Sequence, residues 1–247
     1  SQAREGFDAS VSWAQDSDDA AFARKVPGVQ PQECMISPEH LGWYAEHGIE
    51  WITLFYAANG FTALRQDVEL AGSALYNPVT LRDPDSGGSL VWVPAWHHAD
   101  VLDHGGLAAW AHQISATVPG DSLLLIHFDA DAETWENFGA ELDALAPQLA
   151  DGTVVHTTIQ AYLDTHAPDT TVDLPGDVAD GTGDGFQSWA GKDLNHRLYT
   201  AIATARSRAS VAALLGGGDA AVDAALDAAL APRLLALSTT HFGLAAP

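Results

Sequence analysis

The run Leu123-Leu124-Leu125-Ile126-His127-Phe128, followed by a helical stretch from about Glu136 to Leu149, decides more about the fold than any other part of this chain. A nearly continuous apolar strand is what a parallel sheet covered on both faces requires. A helix after a strand is the repeat that builds such a sheet. The same order recurs upstream. Trp51 to Phe55 is β-branched and aromatic and reads as a buried strand, and Leu90 to Val93 reads as another after the turn-rich stretch Asp83 to Gly88. Ser37-Pro38 opens a helix from about Pro38 to His47 that stops at Gly48, and Leu107 to Ile114 is a second short helix. A weaker strand is expected at Thr153 to Thr157. The expectation is an α/β protein with a parallel sheet, open or closed into a barrel. Its working residues should sit just past the carboxyl ends of the strands. Residues 165–187 read as a long loop over that mouth, and the Ala-rich tail as helices at Asn195 to Arg208 and Asp219 to Leu237, broken at Gly216 to Gly218.

Size and charge narrow the function. The 247 residues are 47% hydrophobic, enough for one sizeable core. Ten Lys and Arg stand against 33 Asp and Glu, a net charge of −23, which removes the basic surface that a nucleic acid or an anionic membrane needs. The excess of Asp and the scarcity of Lys (Lys25 and Lys192) suggest a salt-adapted, halophilic surface. A single cysteine, Cys34, excludes an intrachain disulfide and a cysteine zinc cluster. No apolar run reaches the ~18 residues that span a bilayer. A soluble, cytoplasmic protein is expected.

Two carboxylate sites stand out. Glu33 lies between a strand-like segment and the capped helix at Ser37-Pro38. In His127-Phe128-Asp129-Ala130-Asp131-Ala132-Glu133, a continuing strand would turn His127, Asp129, Asp131 and Glu133 onto one face. Crowded carboxylates disfavour ionisation, so one of them is expected to keep its proton, as a general acid must. One carboxyl group placed to attack and one to donate a proton are the equipment of glycoside hydrolysis. Trp96, His97 and His98 follow a strand and suit stacking on, and hydrogen bonding to, a sugar, with Trp135 and Trp189 as further platforms. Trp43 and Trp51 are expected in the core. A metal reading competes, with His127 and Asp129 on one strand face and His97, His98, Asp100 and His104 nearby. The glycine-rich stretch 181–185 lacks a dinucleotide fingerprint, and no serine sits in a nucleophile elbow.

The stretch QECMISPEHLGWYAEHGIEWITL resembles the third conserved region of family 57 glycoside hydrolases, and HFDADAETWENF is similar to the fourth. SWAGKDLNHRLYTAIATARSRA is similar to the segment and long helix that close the barrel in families 57 and 38. The resemblance covers roughly residues 27–240. It implies an incomplete (β/α)7 barrel over residues 1–187, with C-terminal helices over 188–247 packing on it. It further implies a retaining double displacement on an α-linked sugar, with Glu33 as nucleophile and Asp131 as acid/base. His97, His98, His127, Asp129, Glu133 and the tryptophans would contact the carbohydrate substrate, and no cofactor or metal is expected. Ala132 stands where the family has Gly. Nothing in residues 1–28 matches the family's first two regions, so a fragment lacking the first barrel strands, or a shortened relative, is expected. Two alternatives remain. One is a metal-dependent mannosidase-like or sugar-deacetylase hydrolase that would enlist His127, Asp129 and His241, and the other is a non-catalytic carbohydrate-binding relative.

Overall fold

β-Branched and aromatic residues are densest in two stretches, and these form the centre of the sheet. The computed structural model describes residues 2–16, 27–31, 34–56, 64–127, 132–178 and 192–236. They group into an α/β unit, Val26–Gly183, and a helical unit made of Ser1–Lys25 and Asp184–Pro247.

In the α/β unit, β1 (Gly28–Val29) pairs in parallel with β2 (Trp51–Phe55), and β2 pairs in parallel with the long β4 (Ser89–His97). Ile52, Leu54, Trp92 and Val93 are buried, and the Trp92 indole N–H donates to the Leu54 carbonyl at 3.2 Å. The other side of β4 is shared. Its first half pairs antiparallel with β3 (Val79–Arg82), and its last three residues pair in parallel with β5 (Leu125–His127). β6 (Thr171–Asp173) extends the sheet beyond β3. The result is a mixed but parallel-rich α/β sheet.

Helix α2 (Pro38–Glu46) starts at Ser37-Pro38 and stops where Gly48 takes φ 72°, and it packs Leu41 and Tyr44 inward. Burial pushes the Tyr44 hydroxyl up to about 12. Short α3 (Leu64–Asp67) follows β2, and α4 (His98–Asp103) follows β4 without a break. Next come α5 (Leu107–Thr117), α6 (Ala132–Ala150) and α7 (Ile159–Leu163). Glu141 of α6 accepts the Leu107 N–H at 2.7 Å, so one helix supplies the N-terminal cap of another.

Three expectations change. Among the described residues of the apolar run at 123–128, the strand covers Leu125–His127, leaving out Leu123 and Leu124, and its residues are half-buried rather than enclosed. β3 runs beside β4 as far as Trp92, and of the five β4 residues beyond it, Val93 to His97, β5 pairs with the last three. Along β5 lies a cavity of about 590 Å3 lined by Leu107, Ile114, Leu125, Ile126, Leu145 and Val155. Thr153 to Thr157 is not a strand. The Thr153 N–H donates to the Asp151 carboxylate (2.8 Å) and the Val154 N–H to the Gln148 carbonyl (3.0 Å), so the chain is spent on terminating α6. Residues 165–187 are not all loop, since they contain β6 and a bridge in which Val178 exchanges hydrogen bonds of 2.8 Å with Ile36.

The helical unit holds α1 (Gln2–Asp16), α8 (Asp193–Gly216) and α9 (Ala220–Leu235). Asp219 caps α9 through the Ala221 and Val222 N–H groups. Glu5 accepts from Arg206 and Arg233, and the Arg233 guanidinium holds its carboxyl below the ordinary range. No helix among the described residues is long and apolar enough to cross a membrane.

Candidate functional site

Parallel strands aim their carboxyl ends the same way, so the last residues of β1, β2, β4 and β5 share one rim. Gln30 comes directly after β1, while Phe55, His97 and His127 close β2, β4 and β5. His97 and His127 are cross-strand partners. The Phe55 ring lies 5.2 Å from that of His127 and 5.7 Å from that of His97, centroid to centroid. Gln30 Nε2 and His127 Nδ1 form a hydrogen bond of 3.0 Å. Strands β2 and β4 lie between β1 and β5, a separation of about 14 Å on a flat sheet at ~4.8 Å per strand. Two side chains nevertheless meet across it, so the rim draws together around Phe55.

Each strand end has its own support. His97 Nδ1 accepts the Ala99 N–H at 3.3 Å, and the fully buried Asp100 accepts the His97 N–H at 3.0 Å, which fixes the turn from β4 into α4. The His98 ring lies against that of His97, tilted by 40° with centroids 4.0 Å apart, and its buried Nδ1 has no hydrogen-bond partner among the described residues. After β1, Pro31 is buried, and its carbonyl accepts the Cys34 N–H at 3.1 Å, closing a four-residue turn. Cys34 is buried with φ 48°, a left-handed backbone that a non-glycine residue adopts at a cost of order 1–3 kcal/mol. The chain on either side of Gln32 and Glu33 is therefore clamped, and the Ile36–Val178 bridge anchors the approach to α2.

The expected site residues fall into three groups. His97, His98 and His127 are at the rim. Trp96 points away from it: only 3% exposed, it stacks on Tyr76 and meets Tyr56 and Trp110 edge-on, so no ring face is open to a sugar. Trp51 is buried as expected and Trp96 joins it in the core, whereas Trp43, also expected there, is half-buried. Glu33, Asp129, Asp131, Trp189 and His241 lie outside the described residues. Glu133 and Trp135 fall in the first turn of α6, their side chains outside the described set. The helix begins at Ala132, so strand alternation does not extend to Glu133. Sequence reasoning missed Gln30 and Phe55, and it offered Asp100 as a metal ligand, whereas the carboxylate accepts the His97 N–H. Reading the last residue of each parallel strand as one set would have found the first two.

The rim offers imidazole nitrogens, a carboxamide and aromatic faces, groups that both hydrogen-bond and stack. Among the described residues, no group of three or more His, Cys, Asp or Glu is arranged to hold a metal ion. His104, one of the residues in the metal reading, stacks on Trp110 with centroids 4.1 Å apart.

No family model matches the chain, and no curated protein matches it. Among solved structures, it is similar to 4-α-glucanotransferase from Thermococcus litoralis, with 18% identity and a TM-score of 0.46. The similarity covers 68% of this chain and only 26% of that enzyme, so the chain spans about a quarter of its length.

Proposed function

We propose that this chain carries the catalytic face of a retaining glycoside hydrolase or transglycosylase acting on an α-linked glucan or oligosaccharide, built on part of a (β/α)7 barrel of the family 57 kind. The observation that carries the reading is the meeting of Gln30 and His127 across two intervening strands. Glu33 lies three residues beyond Gln30, and Asp131 four residues beyond His127. The two motifs that resemble family 57 regions thus leave from strand ends that touch.

In this reading Glu33 attacks the anomeric carbon while Asp131 protonates the departing glycosidic oxygen. A glycosyl–enzyme ester forms, and the bond to the leaving sugar breaks. Asp131, now ionised, takes a proton from water or an acceptor hydroxyl, which displaces Glu33 and returns the anomeric configuration to its original hand. That chemistry needs the two carboxyl groups about 5–5.5 Å apart. His97, His98, His127 and Asp129 hydrogen-bond sugar hydroxyls, Glu133 lies beside the acid, and Trp135 and Trp189 supply stacking faces.

The test is kinetic, on maltooligosaccharides and on aryl α-glucosides of graded leaving ability. Glu33→Gln is expected to lower kcat at least about a thousandfold on every substrate, equivalent to about 4 kcal/mol. Asp131→Asn should be severe for poor leaving groups and mild for good ones, because an activated leaving group departs without a proton. Overnight EDTA should leave turnover unchanged. Wild-type kcat in Glu33→Gln, or loss of activity to EDTA, would refute the reading.

A further inference from the structure

We infer that the Gln30–His127 hydrogen bond is a positioning bridge that sets the spacing between the chain segments carrying Glu33 and Asp131. This rests on the assignment of those two residues under the proposed function. In the described residues β1 spans two positions and β5 three. Among the described residues each is held to the sheet along one edge, β1 by β2 and β5 by β4. Strands so short fix little of the chain beyond them. The carboxamide and imidazole tie the two ends directly at 3.0 Å, and Phe55, against both His127 and His97, fills the space beneath the tie. A displacement of about 1 Å between nucleophile and acid is enough to cost on the order of 100-fold in rate. Through this bond Gln30 and the Nδ1 side of His127 act by way of Glu33 and Asp131, as positioning groups, while Nε2 of His127 is left for the sugar hydroxyl.

Gln30→Met keeps the length of the side chain and removes its hydrogen bond. It is expected to lower kcat about 10- to 100-fold with KM within about twofold, the signature of lost transition-state geometry and not of lost substrate binding. Gln30→Glu should recover part of the rate with the bond reversed: the Gln30 amide N–H donates to Nδ1, whereas a carboxylate must accept, so His127 has to carry its proton on Nδ1. In a double-mutant cycle, Gln30→Met with His127→Phe should lose no more than the worse single variant, because one bond is removed once. Imidazole 15N spectra of the folded protein read the bridge without turnover: the His127 Nδ1 resonance should move in Gln30→Met. Losses that multiply in the cycle, an unmoved Nδ1 resonance, or a wild-type kcat for Gln30→Met alongside an inactive Glu33→Gln would each overturn the bridge and leave the assignment of Glu33 standing. An active Glu33→Gln would instead overturn the assignment, and with it the bridge's role in positioning.

Discussion

The two ends of β4 keep opposite company. At its carboxyl end, beside β2 and β5, the strand ends present Gln30, Phe55, His97 and His127, and one polar contact there joins strands that are not neighbours. At its amino end, beside β3 and β6, Arg82, Asp173 and Asp83 find their partners in adjacent residues. Arg82 and Asp173 are cross-strand partners joined at 2.7 and 3.2 Å, and the buried Asp83 accepts the Asp85 N–H at 2.9 Å as well as the Ser86 hydroxyl, inside the turn that connects β3 to β4. Charges quenched within a turn or a rung hold shape, whereas groups that reach across strands gather chemistry at one place. The β3–β6 corner is thus scaffold, and the rim at β1, β2, β4 and β5 is where substitutions should change rates.

Trp96 gives the sharpest break, because it lies one residue before the rim yet belongs to the core. Trp96→Ala is expected to destabilise the α/β unit by about 3–5 kcal/mol, through the lost aromatic packing on Tyr76, Tyr56 and Trp110. Denaturant unfolding monitored by fluorescence measures it. An unchanged midpoint with a raised KM would return Trp96 to the substrate side.

Gly28 comes next. A Cβ at this position would stand 2.0 Å from the Trp51 ring, which lies across β1 and donates its indole N–H to Gln160 at 3.0 Å. Gly28→Ala should cost about 1–3 kcal/mol by overpacking. It should lower kcat by more than that loss of stability explains, because β1 leads into Gln30 and Glu33. Equal stability to the wild type would mean that Trp51 yields freely and that β1 is not held by it.

These two residues also mark how far local sequence specifies the molecule. The strand Trp51–Phe55, the helix from Pro38 and the tail helices are written in local chemistry: β-branched runs, a Ser-Pro start, glycine stops. What local chemistry does not carry is competition for neighbours. Leu123 and Leu124 are as apolar as Leu125, yet the register sets Leu124 opposite Pro94, which has no N–H to offer, and the Leu123 N–H donates to the Tyr76 carbonyl at 2.7 Å instead. Thr171 to Asp173 carries almost no strand signal by itself and becomes a strand through register with Thr80 to Arg82. The same holds for the site. His97 and His127 are visible as polar residues ending apolar runs, while Gln30 and Phe55 acquire meaning only when four strand ends are superposed. Trp96 reads as a substrate platform in sequence because alternation along β4 does not say which face the helices cover.

His40 offers a pH test close to the rim segment. The Ser37 N–H donates to His40 Nδ1 at 3.2 Å at the start of α2, a role open only to the unprotonated nitrogen. Burial holds the His40 pKa below its ordinary value, against the opposing pull of Glu39 and Asp177. The unfolded chain therefore takes up a proton before the folded one does, and the stability His40 contributes is complete above the unfolded value near 6.5 and is lost as pH falls below it toward the folded value. Unfolding midpoints measured from pH 8 to 5 should fall more for the wild type than for His40→Gln. Parallel curves would remove His40 from the helix start.

The smallest effect is expected at Arg82. Its guanidinium donates to Asp173 and holds that carboxyl below the ordinary carboxylate range, so the pair's contribution is present above the unfolded carboxylate value and fades as acid protonates Asp173 in the folded protein. Both side chains are about half exposed, at 50% and 46%, and water and salt screen such a pair almost completely. Arg82→Gln should leave the unfolding midpoint and kcat indistinguishable from the wild type at neutral pH, with the register of β3 on β6 kept by its backbone hydrogen bonds. A fall in kcat with stability intact would show that strain at this corner travels along β4 to His97. The division of the sheet into a scaffold end and a reactive end would then fail, because β4, which runs between them, would be transmitting from one to the other.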